Sequence, residues 1–192
     1  MARRRVIFHI DVNSAFLSWT AIRLMKDGMS DIRLVPSVVS GDPSDRRSII
    51  TAASIPAKRL GIRTADPVSM ALRKCPGLVI VKGDWDWYRI CSRGFIEICR
   101  SYSPVLQQFS IDECFIDMTM RNWGEDPTAV AARLKDEIKE KLGFTVNVGI
   151  GPNKLLAKMA SDFEKPDKVH TLWESEIAEK MWPLSVRDLL WV

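Results

Sequence analysis

No apolar run in the sequence approaches the roughly 20 residues that a membrane-spanning helix needs, so no membrane association is expected. The opening MARRRVIFHID passes from basic residues straight into a strand-like run, with no small-residue cleavage site to mark a secretory signal. Cysteine is sparse. Cys75, Cys91, Cys99 and Cys114 form no C-x-x-C pair, and only His9 and His170 could join them as soft metal ligands. That argues against a zinc site or a disulfide framework and fits a reducing, cytoplasmic setting. Charge of one sign is also missing: 28 Lys and Arg against 24 Asp and Glu leave a formal +4, which permits an anionic partner without requiring one. There is no internal repeat and no low-complexity tract. The 192 residues, 46% of them hydrophobic, suffice for one or two domains with a substantial core.

Residues 5–10, RVIFHI, read as a short buried strand closed by Asp11. NSAFLSWTAIRLMKDG follows as a helix, with Asn13 or Ser14 as its cap and Gly28 as its stop. Strands are expected over 34–40 and 48–54 around the turn SGDPSDRR, then short helices at 55–60 and 67–74, each opened by a proline. GLVIVK reads as a strand. Between Asp84 and Tyr102 the residues Trp87, Cys91, Phe95, Ile98 and Tyr102 recur at helical spacing. Strand-like pieces at 104–109 and 114–118 come next. Residues 127–142 make the clearest helix, capped by Asp126, striped by Val130, Leu134, Ile138 and Leu142, and ended by Gly143. FTVNVGI is a strand and NKLLAKMASDF a helix, and a weak helix lies near 175–181. With residues 30–82 set aside as an insert, the order is β-α-α-β-β-α-β. This predicts an α+β fold, a ferredoxin-like βαββαβ sheet with helices on one face and a small inserted α/β lobe.

Within FSIDECFIDMT, two adjacent acids, Asp112 and Glu113, interrupt an apolar alternation. In the expected topology the first and third strands are neighbours, which would bring Asp11 to Asp112 and Glu113. Three converging carboxylates repel unless a cation lies among them, and oxygen-only ligands suit magnesium. For any one acid alone, a cap or a solvent-facing side chain is the simpler reading; the set favours a metal. Phosphates also have places to bind. The helix starting at Ser14, Ala15 and Phe16 offers free backbone amides beside Asp11, and GIGPNK puts Lys154 in a second helix's first turn. In the insert, Arg46, Arg47, Lys58, Arg59, Arg63, Arg73 and Lys74 outnumber Asp42, Asp45 and Asp66, a weak signal because charge runs are usually solvated.

FHIDVNSAF, SIPAKRLGIRT, FSIDECFIDM and VNVGIGPNKLLAKMASDFEKPD together resemble the Y-family translesion DNA polymerases, in particular the bacterial DNA polymerase IV-like (ImpB/MucB/SamB) branch. The resemblance runs in order from about residue 5 to about residue 190. It implies that Asp11, Asp112 and Glu113, with the Val12 carbonyl, hold two Mg2+ ions, for which Mn2+ can substitute. It further implies that Phe16 is the steric gate against a ribose 2′-hydroxyl and that Lys154 contacts the triphosphate of an incoming dNTP. Ser14, Ala15, Phe16, Lys58 and Lys154 then form the nucleotide site, and primer-template DNA is the second substrate. The implied domains are a catalytic palm (1–24 and 83–165), fingers (25–82) and the start of a thumb (166–192).

Several departures stand out. Ile55 and Lys58 occupy positions where relatives often carry a tyrosine and an arginine, so a hydroxyl and a guanidinium fork are lost. Asn13 stands where many relatives have an aspartate. The chain stops at VRDLLWV, where the thumb would begin, so a weak or inactive fragment is expected. Sliding-clamp binding would lie in the region beyond it. Two alternatives remain: a palm-type nucleotidyl cyclase, and a degenerate palm that only binds DNA or a protein partner.

Overall fold

Ile7, His9 and Asp11 share one face of strand β1 (Ile7–Val12), and Phe8, Ile10 and Val12 share the other. This strand is the centre of the larger sheet. It runs two residues further than the hydrophobic run suggests, because the Val12 amide still donates to the Asp112 carbonyl at 3.0 Å. Asp11 therefore lies inside the ladder and not past its end. The computed structural model describes residues 4–42, 45, 47–120 and 124–190; Arg46 and part of the SGDPSDRR turn lie outside the described residues.

After β1 come α1 (Ala15–Lys26), β2 (Ser37–Ser40), β3 (Ile50–Ala53), α2 (Ile55–Arg59), α3 (Val68–Lys74), β4 (Val79–Lys82) and α4 (Trp85–Tyr102). The remainder comprises β5 (Leu106–Gln108), β6 (Glu113–Asp117), α5 (Pro127–Leu142), β7 (Val146–Gly151), α6 (Lys154–Asp162), β8 (Val169–Thr171) and α7 (Ile177–Lys180). The chain divides into two compact units, Met1–Asn13 with Ser92–Val192, and Ser14–Cys91.

The first unit holds a five-stranded sheet in the order β5-β6-β1-β7-β8. Strands β6 and β7 both pair antiparallel with β1, with Asp11 opposite Glu113 on one side and Asn147 on the other. The βαββαβ order is thus present and the α+β expectation holds. Strand β8 is an addition. It pairs parallel with β7, Val148 opposite Val169, and its three half-buried residues carry too little apolar alternation to announce a strand.

The two faces of this sheet are covered differently. Cys114 points to the side opposite His9 and Glu113, and its thiol meets Cys99 of α4. Helix α5 lies beside α4: the Tyr102 hydroxyl donates to Glu137 at 2.7 Å, and Leu142 packs at Gly94. Helix α6 packs on the other face, where Ala157 joins Ile7 and Phe115 in a buried cluster. The expectation of helices on one face therefore holds for α4 and α5 but not for α6. The reason is local: β7 has glycine at 149 and 151 on that face. A side chain at Gly149 would place Cβ 1.9 Å from the Ala157 carbonyl oxygen, and one at Gly151 would meet the Ala157 amide at 2.7 Å.

In the second unit β2 pairs antiparallel with β3 and parallel with β4. Val38, Ile50, Ala53, Ala57, Ile62, Val68, Ala71 and Leu78 form its core, and Leu17 and Ala21 of α1 pack with Ile32, Val39 and Ala52. A fully buried Val, Leu or Ile contributes about 1.5–3 kcal/mol relative to exposure, so each of these clusters is a substantial part of the unit's stability. Asp31 caps the short turn Ile32–Leu34 by accepting from the Arg33 amide, and also pairs with the Arg33 guanidinium at 2.8 Å.

Candidate active site

In the first unit the β1–β6 ladder brings Asp11, Val12, Asp112 and Glu113 to one end of the sheet. Their backbones are adjacent, but their side chains are engaged separately. Glu113 accepts from His9 Nε2 at 2.9 Å and from Lys158 Nζ at 2.5 Å. Asp11 receives the Lys165 ammonium, which also pairs with Asp162 at 2.8 Å. The Asp112 carboxylate accepts from the Ser110 hydroxyl at 2.6 Å. Among the described residues no three His, Cys, Asp or Glu side chains form a ready-made metal cage.

His9 shares its strand face with Asp11 and is fully buried. Ser161 Oγ donates to the Lys158 carbonyl at 2.7 Å, so it is left to accept from His9 Nδ1 at 2.8 Å. Both ring nitrogens then face acceptors, and the ring is fixed between α6 and Glu113. The hydrogen bond from His9, reinforced by Lys158 and only partly opposed by burial, holds the Glu113 carboxyl at about 2. Burial pushes the Asp11 carboxyl up, with Lys165 opposing it. Lys165 is also raised: burial lowers it, but Asp11 and Asp162 outweigh burial. Direct ammonium–carboxylate contact decides for an ion pair.

The loop that carries Lys165 is clamped by two buried amides. Asn13 Oδ1 accepts from the Asp167 amide at 2.9 Å, while its nitrogen donates to Asn147 Oδ1 at 3.1 Å. Asn147 donates in turn to the Ser161 and Glu164 carbonyls, at 3.0 and 2.6 Å. Asn13 is thus a structural brace. Lys154 opens α6 after the Asn153 cap, bonds Gln107 Oε1 of β5 and lies 5.9 Å from the Phe115 ring centre.

The second unit holds the remaining expected residues. Ser14, next to the first turn of α1, takes the left-handed conformation (φ 47°) and its side chain does not cap the helix. It accepts instead from Lys58 Nζ at 2.8 Å. Ala15 begins α1 and is buried. Phe16 stacks on Tyr88 at 4.9 Å and meets Trp85 edge-on at 5.2 Å. Thr20 Oγ1 donates to the Phe16 carbonyl at 2.7 Å and so accepts from the Tyr88 hydroxyl, also at 2.7 Å. The ring at the expected gate position is therefore fixed from behind.

Sequence reasoning gave no role in this site to His9, which it weighed only as a soft metal ligand, or to Lys158, Lys165, Asn147 or Tyr88. Two of them had a signal. His9 falls in phase with Asp11 on a strand, and Lys158 follows Lys154 by one helical turn. Lys165 and Asn147 reach their partners only through the folded chain.

The architecture matches solved Y-family DNA polymerases. DinB from Sulfolobus solfataricus superposes with a TM-score of 0.86 at 24% identity, covering 97% of this chain and 54% of that one. An insertion ternary complex of Dbh DNA polymerase gives 0.83 at 23% identity, covering 96% and 53%. At that identity the likeness establishes the fold alone, an α+β architecture shared over nearly the whole of this chain.

Residues 10–162 match the impB/mucB/samB family model, and the chain belongs to that family. It is 48% identical over 189 residues to the DNA polymerase IV of Clostridium acetobutylicum, covering 98% of this chain and 48% of the relative. To DNA polymerase IV 1 of Bacillus subtilis it is 34% identical over 187 residues, covering 97% and 44%. The chain thus spans about half the length of the curated relatives it matches. Among the described residues no helix is long and apolar enough to cross a membrane.

Proposed function

We propose that the chain carries the nucleotidyl-transfer centre of a translesion-type, template-directed DNA polymerase, which joins a dNTP to a primer 3′-hydroxyl on primer-template DNA. One observation carries the reading: Asp11 and Glu113 face each other across the β1–β6 ladder, beside the Val12–Asp112 backbone bond. These are hard oxygen donors, and two of the acids already hold an ammonium ion each, so the donor set fits a divalent cation. Asp11, Asp112, Glu113 and the Val12 carbonyl would hold two Mg2+, or Mn2+ in their place. When bound, these ions supply charge neutralisation and activation of the attacking hydroxyl. The protein's own residues bind and orient. His9 and Lys158 keep Glu113 ionised and in one rotamer. Lys154 and Lys58 supply positive charge for a triphosphate, with Ser14, Ala15 and Phe16 at the helix start, and Phe16 excludes a ribose 2′-hydroxyl.

In domain terms, residues 1–24 and 83–165 serve as palm, 25–82 as fingers and 166–192 as the beginning of a thumb, with any sliding-clamp contact beyond them. The reading is tested by primer extension with the protein at its relatives' length. Glu113→Gln and Asp112→Asn are each expected to lower extension by roughly a hundredfold or more, with the fold unchanged by circular dichroism. Unaltered extension in both variants would remove the acids from catalysis.

A further inference from the structure

Two lysines lie where the acids would otherwise repel each other, and both come from α6 or the loop that leaves it. Lys158 contacts Glu113 at 2.5 Å, and the Lys165 ammonium contacts Asp11. Lys165 has a second partner, Asp162 at 2.8 Å, whose side chain is half exposed while that of Asp11 is largely covered. Its backbone is held by the Asn13–Asn147 clamp on residues 164–168. The ammonium can therefore leave Asp11 by side-chain rotation alone and keep one ion pair as it goes.

We propose that Lys165 is a built-in counter-ion of Asp11, displaced by the divalent cation, and that Asp162 is the partner that retains it after displacement. The inference rests on the reading that Asp11 is a metal ligand. An ammonium and a divalent cation on one carboxylate repel strongly in a partly buried site, so metal entry and the Lys165–Asp11 contact exclude each other. The arrangement has a use in each state. Without metal, the lysine neutralises a covered carboxylate that would otherwise be costly to keep ionised. With metal, the lysine keeps only the more exposed acid, where its charge is better solvated. Metal entry thereby costs the Asp11 contact of a shared ammonium and leaves its Asp162 contact in place.

The test is Mn2+ binding to the 192-residue chain, read by the electron paramagnetic resonance of free Mn2+ and requiring no turnover. Lys165→Met should tighten Mn2+ binding by about threefold to tenfold, whereas Lys165→Arg, which keeps the cation, should stay close to the parent. Asp162→Asn should weaken binding in the parent, because Lys165 then has only Asp11, and should have much less effect in the Lys165→Met background. Unchanged or weaker binding in a folded Lys165→Met variant would overturn the counter-ion role. An equal Asp162→Asn effect in both backgrounds would overturn the part given to Asp162. If Asp11→Asn leaves Mn2+ binding untouched, the metal-ligand reading itself falls. Loss of binding in Asp11→Asn beside an unchanged Lys165→Met would refute only the present inference.

Discussion

Asp11 and Glu113 are like charges on adjacent strands, and their surroundings show how single residues make that tolerable. Each acid has a lysine, and Glu113 has a buried histidine as well. Phe16 is a residue of the opposite kind, an apolar ring held rigid to occupy space. Its stack on Tyr88 and edge contact with Trp85 leave it little rotational freedom. In the protein at its relatives' length, Phe16→Ala should raise ribonucleotide insertion relative to deoxyribonucleotide insertion by roughly tenfold or more. Competition between matched rNTP and dNTP at one template base checks it, and an unchanged ratio removes Phe16 from the gate role.

At the scale of elements, the close approach of α6 to β7 decides where Lys158 and Lys165 can reach. Gly149 has no space for a methyl group beside the Ala157 carbonyl. Gly149→Ala is expected to destabilise the fold by more than about 3 kcal/mol, because the obstacle is backbone and cannot rotate away. Chemical denaturation gives the value, and a loss below about 1 kcal/mol would show that α6 can shift at little cost. In the second unit the cap at Asp31 offers a milder test. Hydrogen bonding from Arg33 holds its carboxyl below the ordinary aspartate value despite burial. A depressed folded-state value contributes stability above the unfolded value and loses it as pH falls through the folded one. Asp31→Ala should therefore cost about 1 kcal/mol near neutrality, and the difference from the parent should shrink below about pH 4. A difference that stays constant down to pH 2.5 would mean that the charge of Asp31 contributes nothing.

For the whole molecule, the proposed function turns on how much of a DNA-binding surface the chain carries. DNA affinity comes largely from phosphate contacts, each releasing counterions, so the salt dependence counts them. The chain spans about half the length of its relatives and carries a net charge of only +4. Its DNA affinity should fall less steeply with salt than that of the protein at full relative length, and its primer extension should be weak. Fluorescence anisotropy over a salt series measures the slopes. Equal slopes would place essentially all phosphate contacts within these 192 residues.

Much of this was legible in the chain itself. The helix at 127–142 is readable because Asp126, Pro127 and Gly143 are local signals that act within a few residues of one another. The acids at 11, 112 and 113 could be singled out because charge breaking an apolar alternation is costly and therefore informative. What only the tertiary structure decided are the partners. That Lys165 meets Asp11, that Asn13 braces the 164–168 loop, and that α6 covers the face opposite α4 depend on residues more than a hundred positions apart or on a close backbone approach at Gly149. Local pattern specifies which groups need neutralising. It carries no record of which distant cation will do so, because that choice is made by packing, where the chain's return path brings one ammonium and not another within contact distance.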